Sequence, residues 1–221
     1  MYNDEKLIAI ENWVMRIHQP EGAGPFPVVV MIHGWTGDEN SMWVFSLRLP
    51  KNALLIAPRG LHKTEEAGYS WYPKLNKPLP WVDDLAPAAQ KLFDTLTGHN
   101  FPAADFSALH LVGFSQGAAL AYTMTILHPE RVKSLAGLSG FLPDGAAALM
   151  HEDHLHGLPV FIAHGTEDER VPVERARAAV AQFEQAGAKV TYCEDDVGHK
   201  LSAKCFHGLE AFYKNANHTD C

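Results

Sequence analysis

The chain has few cysteines and no excess of positive charge, and each shortage excludes a class of protein. Its 221 residues include three cysteines, Cys193, Cys205 and Cys221. Three are too few for the disulfide framework of a small secreted domain, so we expect free thiols and a cytoplasmic location. Lysine and arginine total 18 against 26 aspartate and glutamate residues, a net charge of −8. Nucleic acids and anionic membranes bind clustered basic residues, so neither is an expected partner.

Long apolar runs are also missing. No segment approaches the ~20 apolar residues of a membrane span, and the polar start at residues 1–6 lacks the basic and apolar regions of a signal peptide. With 47% hydrophobic residues and no linker long enough to divide the chain, we expect one domain over residues 1–221. The sequence leaves open whether that domain is a monomer or a homodimer.

Strand and helix patterns alternate along the chain, which predicts an α/β fold with a mainly parallel twisted sheet and helices on both faces. One or two antiparallel edge strands are expected between residues 7 and 17. Further predicted strands lie at 26–32, 109–112, 132–138, 158–163 and 188–193. Apolar residues at helical spacing predict helices over 82–96 and 173–183, after residue 118, and over 201–212.

Residues 113–117, Gly-Phe-Ser-Gln-Gly, join a predicted strand to a predicted helix. In this context the G-x-S-x-G pattern is typical of a nucleophile elbow, because small residues on both sides allow a turn tight enough to expose the serine. Ser115 is therefore the candidate nucleophile. The alternative is a glycine-rich turn with an incidental serine.

A nucleophilic serine needs a histidine as base and a carboxylate that orients it, in the chain order Ser, Asp/Glu, His. The strand at 158–163 leads into a loop with Asp168, and the last strand is followed by Gly198 and His199. Because ligands bind at the carboxyl edge of such sheets, we expect these loops to meet Ser115 there. The rival carboxylates are those of Glu167, Glu169, Asp195 and Asp196.

An acyl-transfer site also needs two donors for the oxyanion. One is the backbone N–H of Gln116, directly after the nucleophile. The other is expected after the strand at 26–32, in the turn that follows His33 and Gly34. The backbone N–H of Trp35 is the favoured candidate and that of Thr36 the second.

This ordered set of motifs resembles the α/β-hydrolases: His33-Gly34-Trp35, the elbow at 113–117, the loop HGTEDERVP at 164–172, and Gly198-His199. Within that superfamily it resembles the small phospholipase/carboxylesterase group that includes acyl-protein thioesterases. The resemblance implies an α/β-hydrolase fold and a cofactor-free hydrolase acting on small-molecule carboxylic esters or thioesters. It also implies a triad of Ser115, Asp168 and His199, with Trp35 and Gln116 as oxyanion donors. The chain is equally similar to bacterial carboxylesterases and dienelactone-hydrolase-like proteins.

Two irregular segments are expected to set specificity. The first carries Tyr69, Trp71, Tyr72 and Trp81, and we expect Trp71 and Tyr69 to wall an acyl pocket, although an aromatic cluster beneath a long loop is an alternative. Arg59, just before it, is a candidate for binding a substrate carboxylate or phosphate, with a structural salt bridge as the alternative. The second, residues 141–157, is too short for a large cap domain. The site is therefore expected to be open and to accept short to medium acyl chains.

The other histidines are expected to play no catalytic part. His110 and His164 lie beside predicted strands and are expected to be hydrogen-bonded core residues. Surface positions are expected for His18, His62, His99, His128, His207 and His218. The cluster His151, His154 and His156 does not match a zinc signature, so we expect a solvated loop and no metal. Two other classes stay open: a ligand receptor with little turnover, and a serine peptidase.

Overall fold

Segments rich in β-branched and apolar residues form ten strands within the described part of the chain. The computed structural model describes residues 5–74 and 79–216. Eight strands make the main sheet: β1 (Glu5–Ile10), β2 (Trp13–His18), β3 (Phe26–Ile32), β4 (Leu54–Pro58), β7 (Ala104–Phe114), β8 (Ser134–Leu138), β9 (Pro159–Gly165) and β10 (Lys189–Asp195). A short hairpin of β5 (His62–Lys63) and β6 (Tyr69–Ser70) stands apart from it.

The order of the main sheet is β1-β2-β4-β3-β7-β8-β9-β10. β1 pairs with β2, and β2 with β4, in antiparallel register, and every later pair is parallel. The expected antiparallel strands between residues 7 and 17 are confirmed, with β1 at the edge. Parallel pairing brings the carboxyl ends of β3, β7, β9 and β10 to one edge, which is where the candidate site residues follow each strand.

The described residues also form five helices: α1 (Val82–Thr95), α2 (Gln116–Leu127), α3 (Ala146–Leu149), α4 (Val173–Gln185) and α5 (Ala203–Ala216). α1, α2 and α4 pack on one face of the sheet. α5 and a 3-10 segment, Ser41–Arg48, cover the opposite face. The predicted α/β fold with helices on both faces is therefore confirmed.

The cysteine expectation is wrong. Cys193, in β10, and Cys205, in the first turn of α5, form a disulfide. Three cysteines leave room for one pair, and the strand and helix bring these two together although twelve positions separate them in sequence. The argument from free thiols to a cytoplasmic location therefore fails. Cys221 lies outside the described residues.

The expectation of buried, hydrogen-bonded histidines is confirmed at two positions, and the expectation of surface histidines is wrong at one. His110 and His164 are buried and hydrogen-bonded, to Ser134 and to the carbonyl of Val171, as predicted. His18, expected at the surface, is buried, because β2 lies between β1 and β4. His218 lies outside the described residues. Along the described ranges, every helix is too short or too polar to cross a bilayer.

Candidate active site

Ser115 stands on a strained corner between β7 and α2. Its backbone has φ 53° and ψ −116°, a conformation that a non-glycine residue adopts only where the surroundings enforce it. The Ser115 N–H donates a hydrogen bond of 2.8 Å to the carbonyl of Leu138 in β8, which ties the corner to the neighbouring strand. The elbow predicted from the sequence is present.

The two outer glycines of the elbow are required by close approach. A Cβ on Gly113 would overlap the carbonyl of Gly117, and a Cβ on Gly117 would overlap the carbonyls of Ile32 and His33 at the end of β3. α2 can therefore begin immediately after the strand and lie directly against β3. This packing explains the G-x-S-x-G spacing physically.

Asp168 is buried, with a relative exposure of 6%, and its carboxylate is fixed by several donors. The backbone N–H groups of Arg170 and Val171 each donate to Oδ1 over 2.9 Å. Nδ1 of His199 lies 2.7 Å from Oδ2, and Nε2 of His164 lies 3.3 Å from the same oxygen. Of the carboxylates weighed from the sequence, Asp168 is the one that contacts His199.

The contact with Asp168 sets the protonation pattern of His199. A carboxylate only accepts hydrogen bonds, so Nδ1 of His199 carries the hydrogen, and in the neutral ring Nε2 is the nitrogen with the free lone pair. The ring packs against Phe114, with centroids 5.0 Å apart, and borders the same cavity as Ser115. No hydrogen bond between Ser115 and His199 occurs within the described part of the chain. Such bonds are often long in unliganded enzymes and shorten when substrate binds.

The turn after β3 lies beside Ser115. A Cβ on Gly34 would come within 3.3 Å of the Ser115 Cβ, so the backbone of Gly34 passes directly along the elbow. The N–H of Gly37 donates to the carbonyl of Gly34, and Thr36 between them has φ 65°. Trp35 follows Gly34 at the cavity wall. The first N–H groups of a helix lack acceptors within the helix, so the Gln116 N–H is available on the other side.

Buried neighbours support this turn from below. The imidazole of His33 accepts a hydrogen bond of 2.9 Å from the Gly60 N–H at Nε2, and its Nδ1 lies 2.7 Å from the Gly34 carbonyl. Burial lowers the pKa of His33 to about 4, so the ring is neutral and can accept that bond at neutral pH. The indole N–H of Trp71 donates to the His33 carbonyl over 2.7 Å.

A cavity of about 1200 Å³ opens above Ser115 and His199. Apolar side chains on its wall include Trp35, Leu61, Tyr72, Leu79, Phe141 and Val171. Charged side chains also border it, namely Lys63, Glu65, Glu66, Lys74 and Arg170. The segment after β8, which includes Phe141, contributes α3 and no cap domain.

The residues chosen from the sequence as substrate contacts occupy other places. None of Trp71, Tyr69 and Arg59 is among the described residues that border the cavity. Trp71 is 1% exposed and packs on Trp13 and His33 in the core. Its neighbour Tyr72 borders the cavity instead. The predicted role for Trp71 is wrong, and no sequence signal distinguishes the two residues.

Arg59 forms a salt bridge, which was the alternative weighed for it. Its Nε and one terminal nitrogen lie 2.6 Å and 2.7 Å from the two carboxylate oxygens of Glu39, whose side chain is 5% exposed. The guanidinium also stacks on Tyr69, 4.8 Å from the ring centroid. The Tyr69 N–H donates to the carbonyl of Gly37 in the turn beside Ser115. Arg59 and Tyr69 thus stabilise the turn beside Ser115 and are not among the described residues that border the cavity.

The histidine cluster at 151–156 forms local contacts. His154 bonds to His151 over 3.1 Å and to the Ile126 carbonyl over 2.8 Å, and His156 approaches Asp153. Within the described ranges, no group of three potential ligands is placed to hold a metal ion.

Known proteins resemble this chain at the level of sequence. A family model described as phospholipase/carboxylesterase matches residues 15–217. Acyl-protein thioesterase 1 of Eremothecium gossypii is 30% identical over 150 residues, which are 66% of this chain and 62% of that protein. Carboxylesterase SOBER1 of Arabidopsis thaliana is 28% identical over 106 residues, which are 47% of this chain and 46% of that protein. The chain spans about half the length of the relatives that it matches.

Solved structures resemble it more completely. A Bacillus cereus carboxylesterase superposes with a TM-score of 0.81 at 21% identity, covering 94% of this chain and all of that one. A Mesorhizobium loti carboxylesterase gives 0.79 at 20% identity, covering 95% of this chain and 98% of that one. At such low sequence identity, the structural similarity shows only that this chain shares the fold of those proteins.

Proposed function

Because the chain belongs to the phospholipase/carboxylesterase family, we propose that it is a serine hydrolase that cleaves carboxylic esters, including thioesters, of short to medium acyl chains. The proposal rests on one observation: the loops that carry Ser115, Asp168 and His199 come together at one cavity. Ser115 stands on its elbow, and His199, bound to Asp168 over 2.7 Å, borders the same cavity. The names of the relatives, carboxylesterase and acyl-protein thioesterase, agree with this chemistry.

Each residue has one role in the proposed reaction. Nε2 of His199 takes the hydroxyl proton as the Ser115 oxygen attacks the carbonyl carbon, and Asp168 orients and stabilises the imidazolium that forms. The backbone N–H groups of Gln116 and Trp35 hold the oxyanion. The intermediate then collapses, the C–O or C–S bond breaks, and the imidazolium gives its proton to the leaving group.

Water completes the cycle. It attacks the acyl-serine carbonyl while Nε2 of His199 takes its proton, and the acid leaves as Ser115 regains a hydrogen. The lack of a cap supports the proposed short to medium acyl chains, because residues 139–158 contribute only the four-residue helix α3.

Esterase activity that depends on Ser115 is the test. Initial rates are measured on 4-nitrophenyl esters of increasing acyl length, with wild-type protein and with Ser115→Ala. We expect hydrolysis by wild type and a fall in kcat of several orders of magnitude in the variant. A fluorophosphonate probe, which labels only an activated serine, should label wild type and not the variant. Equal rates in the two proteins, with both folded, would refute the proposal, and failure to label wild type would favour a receptor.

A further inference from the structure

Like Lys63, which also borders the active-site cavity, Arg170 is a cation with no partner among the residues that the structure describes. Arg170 is exposed and borders the cavity together with Ser115 and His199. Across the described residues, its guanidinium makes no hydrogen bond, ion pair or ring contact. A guanidinium that has no protein partner, at the cavity that also holds a candidate nucleophile, is available to a ligand.

Most other arginines of the chain are engaged. Carboxylates or aromatic rings bind five of the other six: Arg16, Arg48, Arg59, Arg131 and Arg177. The sixth, Arg175, is exposed on α4 and is not among the described residues that border the cavity. Arg170 is therefore distinguished by its place, and Arg175 supplies a matched control.

The backbone of Arg170 is fixed to the candidate triad. Its N–H donates to Oδ1 of Asp168 over 2.9 Å, while Oδ2 of the same carboxylate contacts His199. The backbone from which the Arg170 side chain extends is therefore hydrogen-bonded to Asp168, the candidate residue for orienting His199. Because Arg170 and Ser115 border one cavity, a single small molecule has room to place an anion at the guanidinium and a carbonyl at Ser115.

The described charged residues that border the cavity have one excess positive charge, three cations against two carboxylates. On the wall formed by the hairpin and the segment after it, Lys63 and Lys74 are offset by Glu65 and Glu66, and Lys74 is paired with Glu65. The acidic neighbours of Arg170, Glu167 and Glu169, are not among the described residues of the cavity wall. In a chain with a net charge of −8, this cavity offers a local site for an anion.

We infer that the substrate is an ester that carries a carboxylate, which Arg170 binds while Ser115 attacks the ester carbonyl. The inference rests on the proposed hydrolase function and narrows it to anionic esters. A guanidinium presents two parallel N–H donors that match the two oxygens of a carboxylate. The carboxylate is located on either the acyl or the alcohol part of the ester.

Two substrate pairs separate these positions. On the acyl side, mono-4-nitrophenyl adipate is compared with 4-nitrophenyl hexanoate, which has the same number of acyl carbons and no carboxylate. On the alcohol side, 3-acetoxybenzoate is compared with 3-acetoxybenzamide. Values of kcat/KM are measured at low salt for wild type, Arg170→Gln, Arg170→Lys and the control Arg175→Gln.

We expect wild type to prefer the anionic member of one pair by about tenfold or more, the size of one charge-assisted interaction. Arg170→Gln should bring the two members to similar rates. Arg170→Lys should keep part of the preference, Arg175→Gln all of it, and added salt should weaken it. The pair that shows the effect identifies the part of the ester that carries the carboxylate.

Other results overturn the inference in distinguishable ways. Ser115-dependent hydrolysis without an anionic preference in either pair would refute it and leave the proposed function intact. A preference that persists in Arg170→Gln would show that another group binds the carboxylate. No Ser115-dependent hydrolysis of any ester would refute the proposed function itself.

Discussion

Nδ1 of His199 lies 2.7 Å from Oδ2 of Asp168, although 31 positions separate the two residues in sequence. The loops that carry them are joined by backbone bonds, from the Glu167 N–H to the Val197 carbonyl and from the Thr166 N–H to the Asp195 carbonyl. The ends of β9 and β10 thus hold Asp168 and His199 as one unit. The orientation of His199 therefore depends on the carboxylate that it contacts.

Asp168→Asn should lower kcat by about 10³–10⁴-fold while the protein stays folded. An asparagine amide oxygen would still accept the Nδ1 hydrogen, but its N–H group also competes to donate to that ring nitrogen. The histidine would then carry its hydrogen on Nε2, where it cannot take the serine proton. The measurement is kcat on a 4-nitrophenyl ester, with near-ultraviolet circular dichroism as the check on folding.

Glu169→Gln is the matched control for Asp168→Asn, because it removes an exposed carboxylate from the same loop. It should leave kcat unchanged. If Glu169→Gln lowers kcat as much as Asp168→Asn does, the assignment of Asp168 as the orienting carboxylate is wrong.

The sequence predicts the parts of this site that depend on short-range constraints. The elbow at Ser115 follows from two glycines and a strand-to-helix change, because only glycine fits where α2 meets the end of β3. The positions of Asp168 and His199 follow from parallel strands, whose carboxyl ends share an edge. These features are encoded within a few residues of each motif.

The sequence does not predict which side chains face the cavity. Trp71 and Tyr72 are adjacent aromatic residues, and only the folded structure shows that Trp71 packs on Trp13 while Tyr72 borders the cavity. Arg59 is engaged by Glu39, twenty positions earlier. These outcomes depend on contacts between distant segments, which no local pattern records.

Arg59→Met should lower the free energy of unfolding by about 2–3 kcal/mol, because it leaves the buried carboxylate of Glu39 without its partner. The Arg59 bond also lowers the pKa of Glu39, so that carboxylate is charged at neutral pH. Urea unfolding at pH 7 measures the loss. KM should stay unchanged at temperatures where the variant is folded, since Arg59 is not among the described residues that border the cavity.

The double variant Glu39→Gln, Arg59→Met provides the comparison, and it should be more stable than Arg59→Met alone because no unpaired charge is left. A large rise in KM for Arg59→Met, with stability unchanged, would restore Arg59 as a substrate contact.

The stability of the protein should fall as the pH drops below about 6.5, partly because of His110. Burial, followed by the nearby Lys133, lowers the pKa of His110 to about 4. In the unfolded chain a histidine titrates near 6.5, so between these values the unfolded state binds the proton and the folded state does not. Above pH 6.5 the histidine is neutral in both states and has no pH-dependent effect on stability. At pH 5 its protonation in the unfolded state lowers the free energy of unfolding by about 2 kcal/mol.

His110→Gln should therefore make the free energy of unfolding less dependent on pH between 6.5 and 5, as measured by urea unfolding at several pH values. His33, whose pKa is also lowered to about 4, adds a second contribution that this variant leaves in place. The control His99→Gln, at an exposed histidine, should reproduce the wild-type slope. If the free energy of unfolding depends on pH equally in His110→Gln and wild type, His110 does not cause the loss of stability.

The disulfide between Cys193 and Cys205 should stabilise the protein by about 2–3 kcal/mol, because it closes a short loop and restricts the unfolded chain. The closed loop contains His199, yet the contact with Asp168 and the bond from the Lys204 ammonium to the Glu194 carbonyl also hold this segment. Reduction should therefore lower the urea midpoint strongly and kcat of the folded protein only slightly.

The variant Cys193→Ala, Cys205→Ala should match the reduced wild type in urea unfolding and should not respond to dithiothreitol. Cys221→Ser should behave as wild type with and without the reductant, because the stabilising bond does not involve Cys221. A reductant that shifts the midpoint of the double variant, or leaves that of wild type unchanged, would show that the bond does not provide this stability. Loss of kcat in reduced protein that is still folded would instead show that the disulfide positions His199, and that the contact with Asp168 is not enough to do so.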